Sequence, residues 1–305
     1  MLVFLISLPI FLIILSGWLL KKFKIVTDEW IRILNDFAYY VSLPALIIGA
    51  FWDIDFLNNE SLRLVFWSLL IIVLFCSAIF ILLSFFKISQ TIKASILLSA
   101  TVGNTLYMGI PLIEIEFGKE FLPSAALVGV IFLIIPLIVV IALIQYWYCR
   151  EHCFRKELVA FIKNPLVISA LVGVFLSFFK FDYPLILGIK KSITMLGATA
   201  SPVALFALGG FLYGRFLKKD LGLVFLISFL KIIAFPSAII VASGFLVKTN
   251  SFQILTLLSA MPVAVTAFVI AEKFNLHKDL IGNSVLVSTI FSFIAAPIII
   301  SLFFI

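Results

Sequence analysis

Nearly the whole chain is made of apolar runs of one characteristic length. Charged or turn-forming residues divide its 305 positions into ten runs, near 1–20, 30–52, 62–86, 92–116, 122–148, 164–180, 189–214, 220–248, 252–274 and 279–304. A helix crosses the hydrocarbon core of a bilayer with roughly 17–25 predominantly apolar residues, so each run is a candidate span. The connections are short, the longest polar one being Cys149–Lys163. The chain is 64% hydrophobic and 12% charged, against about 45–50% and about 25% in a soluble domain. A water-soluble core is thereby excluded, and so is disorder, which needs low hydrophobicity and high net charge. The expected fold is an all-α polytopic membrane protein of ten helices.

The charged minority sets the expected topology. Of 22 Lys and Arg, fifteen flank the loops joining spans 1–2, 3–4, 5–6, 7–8 and 9–10, six flank the opposite loops, and Lys231 alone lies inside a span. Cytoplasmic loops carry the basic excess, so both termini are expected on the extracytoplasmic side of the cell membrane. The net charge of +7 then reads as a topology signal and not as a nucleic-acid surface. Met1–Leu20 lacks a basic start and a small-residue cleavage site, so it reads as a span and not as a signal peptide. Trp18, Trp30, Trp52, Trp147 and Tyr148 stand at span ends as interface anchors.

The halves of the chain resemble each other at a nearly constant offset. Leu97-Leu98-Ser99-Ala100 recurs as Leu257-Leu258-Ser259-Ala260, and Ser77-Ala78-Ile79 as Ser237-Ala238-Ile239. Pro44 answers Pro202, and Pro9 answers Pro165. A five-span repeat is odd, so its second copy enters the membrane from the opposite face. Inverted repeats of this kind build secondary transporters, with a site near the bilayer midplane. A duplication retained for packing is the alternative.

Spans 4 and 9 carry matching interruptions. Gly103, Gly109 and Pro111 surround Asn104, Thr105 and Tyr107 in span 4, while Pro262 occupies the equivalent place in span 9, followed by Val263 and Thr266. Proline removes a donor and clashes with the preceding turn. Broken backbone within a membrane is tolerated only against protein or a wet cavity. A half-helix starting after such a break aims free N–H groups and a positive dipole end at the gap, a seat for a carboxylate. The expected substrate-binding residues are therefore Asn104, Thr105, Tyr107, Gly109, Pro111, Pro262, Val263 and Thr266. Packing of Gly and Pro against neighbouring helices is the plainer alternative.

The same residues resemble a family. Gly103-Asn-Thr-Leu-Tyr-Met-Gly-Ile-Pro-Leu112, followed by Phe117-Gly118, is similar to the fourth-span signature of auxin efflux carriers. The likeness extends to Tyr40–Leu46, Ser201–Gly209, Lys231–Pro236 and Met261–Glu272, nearly the whole chain in order. It implies ten helices in two inverted five-helix repeats, 1–148 and 164–305, joined by a cytoplasmic loop at 149–163, and a relation to the bile acid/sodium symporter-like fold. It further implies a scaffold of spans 1, 2, 6 and 7, which is also the surface for a homodimer. Spans 3–5 and 8–10 form a transport domain whose spans 4 and 9 cross at the substrate, moving as an elevator. Family members carry small organic anions, including auxin and dicarboxylates. Plant members usually hold a long hydrophilic segment between the repeats and a second proline in span 9; this chain has neither, and so resembles compact microbial members.

Lys231 lies near the middle of span 8. An ionisable group at that depth is a functional candidate by default. It is a candidate for coupling or for balancing a bound anion, with an ion pair or amine-to-carbonyl bonds as the structural alternatives; proton and sodium coupling both stay open. Asp36, Glu114, Glu116 and Glu272 lie toward helix ends and read as solvated or capping groups. Cys149, His152 and Cys153 have a spacing compatible with metal but no fourth ligand, so an ordinary loop is expected and no cofactor is called for. Three cysteines make no disulfide framework.

Enzyme classes fit poorly. Both histidines are in loops, there is no His-Glu-x-x-His, and the phosphate loop of an ATPase is missing. The leading expectation is a secondary transporter of a small organic anion. A sodium-coupled symporter of the bile-acid type and a non-transporting membrane sensor or scaffold are the alternatives.

Overall fold

The computed structural model describes residues 2–56, 58–148, 163–179, 183–215, 220–243 and 250–304, and over these it is helical. The first half contains α1 (Leu2–Lys22), α2 (Asp28–Phe37), α3 (Leu43–Trp52), α4 (Asn59–Ser84), α5 (Gln90–Thr101), α6 (Ile110–Phe117) and α7 (Leu122–Tyr148). The second contains α8 (Pro165–Ser177), α9 (Pro184–Ala198), α10 (Ala200–Leu212), α11 (Leu221–Phe229), α12 (Phe235–Ser243), α13 (Asn250–Ser259), α14 (Val265–Lys273) and α15 (Lys278–Phe304). Several starts are written in the sequence: Thr27, Asn58, Ser89 and Asn164 each accept a backbone N–H of the following turn, satisfying a donor that the helix cannot.

Prolines explain three widened turns, two inside longer helices at Ala38–Ser42 and Leu230–Ala234 and one that opens a half-helix at Thr105–Gly109. In each, a hydrogen bond reaches back five residues: Leu43 N–H to Ala38 O, Ile110 N–H to Thr105 O and Phe235 N–H to Leu230 O. Pro44, Pro111 and Pro236 follow two residues behind. A proline clashes with the carbonyl four residues back, which here is Tyr40, Tyr107 or Ile232, the middle residue of each widened turn. Joined through these turns, Asp28–Trp52 and Leu221–Ala242 are continuous enough to cross a membrane. So are Asn59–Ser84, Lys119–Leu143, Pro184–Leu212 and Lys278–Ser301. Of the four expected spans outside that group, 4 and 9 are each broken in two, α8 has 13 residues, and the first is α1.

Large apolar side chains such as Leu12, Phe66, Leu171, Phe175 and Leu185 are exposed on the outside of the bundle, a surface suited to lipid and not to water. Inside, helices approach through small residues. A Cβ on Gly17 would land on the Phe206 carbonyl, and one on Gly209 on the Ile14 carbonyl, so α1 and α10 touch backbone to backbone. Gly173 of α8 meets Ile48 and Phe51 of α3 in the same way, and Gly197 of α9 meets Ala45 and Leu46. Close approach through small residues is how helices associate in a bilayer, where burial against lipid gains little.

Gly209→Ala is expected to destabilise by about 1–3 kcal/mol, the usual range for overpacking. Its added Cβ would stand 2.8 Å from the Ile14 carbonyl carbon and 2.9 Å from Trp18 N, neither of which can swing away. Gly188→Ala meets nothing within 4 Å and should not lower the thermal melt in detergent, since an unhindered alanine favours a helix interior over glycine.

Candidate functional site

The two broken helices meet at their breaks. Helix α5 ends because Val102 turns extended (φ −87°, ψ 105°), and α13 ends at Ser259 ahead of Pro262. Between these ends and the half-helices that follow, the strands of chain run antiparallel and pair at Gly103 and Val263. Asn104 N–H donates to the Pro262 carbonyl at 2.7 Å and Ala264 N–H to the Val102 carbonyl at 3.1 Å. A third bond, from Val263 N–H to Ser288 Oγ at 3.0 Å, ties the crossing to α15. These bonds satisfy backbone groups that a membrane interior could not. The paired positions are 160 residues apart, the same separation as between Leu97–Ala100 and Leu257–Ala260.

Two half-helical segments begin at the crossing, at Thr105 and at Val265. First-turn N–H groups have no intrahelical acceptor, and the positive dipole end favours negative charge there. Asn104 is buried (5% exposed) and its side chain makes no capping bond. Thr105 spends its hydroxyl on the Gly129 carbonyl of α7, at 3.1 Å. Thr266 Oγ1 is buried without a hydrogen-bond partner among the described residues. Gly109 sits against Leu258 and Met261, where a Cβ would stand 3.0 Å from Met261 Cγ. Tyr107 lies half-buried in the widened turn.

Lys231 comes to the same place from the widened turn that follows α11. It is wholly buried, with Nζ donating to the Ser259 carbonyl at 2.7 Å and lying 4.8 Å from the Phe235 ring centre. Of the arrangements open to it in the sequence, the amine-to-carbonyl bond to a broken helix is the one observed.

A cavity of about 440 Å³ lies against α6, the half-helix that follows the crossing. Its walls are Pro9, Ala45, Gly49, Pro202 and neighbours on α1, α3, α9 and α10, facing Ile110, Pro111, Glu114 and Pro123 on α6 and α7, with Asp53 and Lys119 also lining it. A cavity this size is within the range of small-molecule sites, about 300–1,000 Å³.

Residues 2–156 and 151–300 match the model of a family described as membrane transport proteins. The chain belongs to that family, which includes the auxin efflux carriers. An uncharacterized transporter of Methanocaldococcus jannaschii is 26% identical over 295 residues, covering 93% of this chain and 94% of the relative. A protein of Rhizobium meliloti named as a putative malonate transporter is 24% identical, covering 93% and 91%. Auxin efflux carrier component 8 of Arabidopsis thaliana is 28% identical over 131 residues, covering 41% and 35%. The family and these relatives are transporters and not enzymes. This chain is therefore a multi-pass membrane transporter with a small-molecule substrate.

In the transporter, the expected residues divide between two places. Asn104, Pro262, Val263 and Lys231 meet at the crossing, while Pro111 lines the cavity. Glu114 and Lys119 line the cavity as well; read from sequence they are merely helix-end charges, and only the fold of α6 against α1 and α10 reveals their neighbours. Serine hydroxyls such as Ser288 gave no sequence signal either, being indistinguishable from the many that bond their own helix. Cys149, His152 and Cys153 lie outside the described residues, as does the connection at 149–162. Among the described residues no group of three metal-ligating side chains is found.

Proposed function

We propose that this transporter carries a small organic anion, a carboxylate, by alternating access of the elevator type. The observation that carries the reading is the antiparallel crossing of two broken helices at Gly103 and Val263. Broken helices in corresponding positions of two repeats are where secondary transporters bind substrate, with half-helix N-termini turned toward its anionic group. Asn104 adds a carboxamide donor, Thr266 an unpartnered hydroxyl and Lys231 a positive charge to balance the cargo. Thr105, Tyr107, Gly109, Pro111, Pro262 and Val263 shape the turn and the crossing. The relative named for malonate supports a carboxylate as the cargo.

In this reading the chain forms ten spans in two inverted repeats, 1–148 and 164–305. Spans 1, 2, 6 and 7 are the scaffold, supported by the backbone-level packing of α1 on α10 and of α3 on α8 and α9. The widened turn of span 2 faces the junction of α9 and α10 in span 7, Ser42 Oγ lying 2.7 Å from Thr199 Oγ1. Spans 3–5 and 8–10 move against this scaffold, and the 440 Å³ cavity at the boundary is the route to the crossing. Both termini face away from the cytoplasm in the cell membrane, and the scaffold helices provide the surface for a homodimer.

Purified protein in proteoliposomes is expected to take up labelled mono- or dicarboxylates with saturation and counterflow, under an imposed proton or sodium gradient. Failure of every carboxylate under every gradient would remove the anion reading. Uptake without saturation would indicate a channel.

A further inference from the structure

We infer that Arg215 is a clamp that locks one face of this transporter shut. Its guanidinium pins the end of α10 to α14 and α15, across the crossing from the cavity, and must be withdrawn before that side opens. Arg215 stands three residues beyond α10, and its Nε donates to the Phe211 carbonyl at 3.2 Å, folding the side chain back onto the helix end. The guanidinium then reaches two rings. Its Cζ is 3.9 Å from the centre of Phe211 on α10 and 4.4 Å from that of Phe268 on α14. The rings themselves meet edge to face at 5.1 Å. A planar, weakly hydrated cation is suited to stacking on aromatic faces.

Helix α15 supplies the floor of the clamp. A Cβ on Gly282 would overlap Arg215 Nη1 and stand 3.0 Å from Cζ. Gly282 lies inside a helix, where backbone conformation alone favours alanine; the arginine supplies the reason for a glycine. Glu272 of α14 and Asp279 of α15 attract the same charge. Arg215 is half-buried, so these contacts are partly desolvated and still within reach of water.

The clamp and the cavity lie on opposite sides of the crossing. The chain runs antiparallel there, so the half-helices that follow point apart. Helix α6 carries Pro111 and Glu114 to the cavity wall, while α14 carries Phe268 to Arg215. Helix α10 reaches both: Ser201, Pro202 and Leu205 line the cavity, and Phe211 is six residues, about 9 Å, beyond Leu205 along the axis. Leu208 and Leu212 are buried on the helix between cavity and clamp. Contacts available in only one of two arrangements bias a protein toward that arrangement. The inference rests on the reading that spans 8–10 move against spans 1, 2, 6 and 7; the nature of the cargo does not enter it.

The test reads opening directly, without cargo. Cys149 and Cys153 are changed to serine, Cys76 being buried, and Leu212→Cys places a thiol on the buried face beside the clamp. The rate at which a maleimide labels that thiol in the purified protein, followed by mass spectrometry, reports the open fraction. Arg215→Ala is expected to raise the rate roughly three- to tenfold, the population effect of losing a partly desolvated cation–π contact. Arg215→Lys keeps the charge without the planar stack and should fall between. Gly282→Ala keeps the arginine but displaces it, and should match Arg215→Ala.

Local loosening of the helix end would also raise the rate, and a second thiol separates the two. Gly49 lines the cavity and has room for a Cβ, whose nearest neighbour would be 3.7 Å away. A brief pulse of a bulky maleimide on Gly49→Cys wedges the cavity, and is expected to return the Leu212→Cys rate of Arg215→Ala to the wild-type level. A rate that Arg215→Ala leaves unchanged overturns the inference, as does a raised rate that the wedge does not lower. Should Arg215→Ala not fold, Gly282→Ala with and without the wedge decides in the same way. Wedge-sensitive opening without uptake of any carboxylate would sink the cargo reading and leave the clamp standing; carboxylate uptake with unchanged labelling would do the reverse.

Discussion

Transport by Gly103→Ala is expected to fall roughly ten- to a hundredfold, with the protein still inserted and folded. The added methyl would overlap Lys231 Cε and Nζ and stand 3.3 Å from the Met261 carbonyl oxygen. The carbonyl belongs to the backbone of the crossing and has little freedom, so the lysine must give way. Moving it breaks its bond to the Ser259 carbonyl. A hydrogen bond to a charged group contributes about 1.5–3 kcal/mol, and each 1.4 kcal/mol is about a factor of ten in an equilibrium. The measurement is initial uptake rate normalised to reconstituted protein, with a melting curve on the same preparation. Combining the change with Lys231→Ala removes the overlap, so the double variant should lose much less than the sum of the single losses, as expected for residues in direct contact. Additive losses would show that Gly103 is needed for the backbone of the crossing and not for the lysine.

Asn104→Ala is expected to separate binding from folding. The Asn104 backbone supports the crossing through its N–H to Pro262 and its carbonyl, which accepts from Met108 and Gly109 at 3.2 and 3.3 Å. All of these survive in alanine. The side chain caps nothing, so the melting temperature without cargo should stay close to that of wild type. Loss of a carboxamide donor to a carboxylate removes a charge-assisted bond worth about 1.5–3 kcal/mol, which weakens cargo affinity by roughly ten- to a hundredfold. A cargo-dependent thermal shift measures this directly. An unchanged affinity would place the cargo elsewhere, and the cavity lined by Pro111, Glu114 and Lys119 would be the next place to look.

Much of the candidate site was legible because interruptions are rare in apolar helices. Gly103, Gly109, Pro111 and Pro262 stood out against long runs of Leu, Ile and Phe, and their matching places in two repeats pointed to one location. The partners of those residues were not legible. That Thr105 would spend its hydroxyl on Gly129, while Thr266 Oγ1 is left without a partner among the described residues, depends on which elements pass beside each. The widened turns at Ala38–Ser42 and Leu230–Ala234 went unread, although Pro44 and Pro236 mark them. A proline in a membrane helix can be absorbed without such a turn, as Pro136 and Pro297 are, and sequence does not distinguish the two outcomes.

Taken alone, the sequence determined the solvent, the secondary structure and the family. These depend on local chemistry: apolar runs of bilayer length, charges confined to their ends, and a motif of adjacent residues in span 4. The tertiary structure decided which groups are consumed by the fold and which are left over. Lys231, 128 residues from Gly103 in sequence, comes within reach of it only because α13 ends at Ser259 and the turn at Leu230–Ala234 carries the lysine to that end. A buried amine takes its role from whatever lies within a few ångströms, and here its neighbours include a helix-end carbonyl, an aromatic face and a glycine.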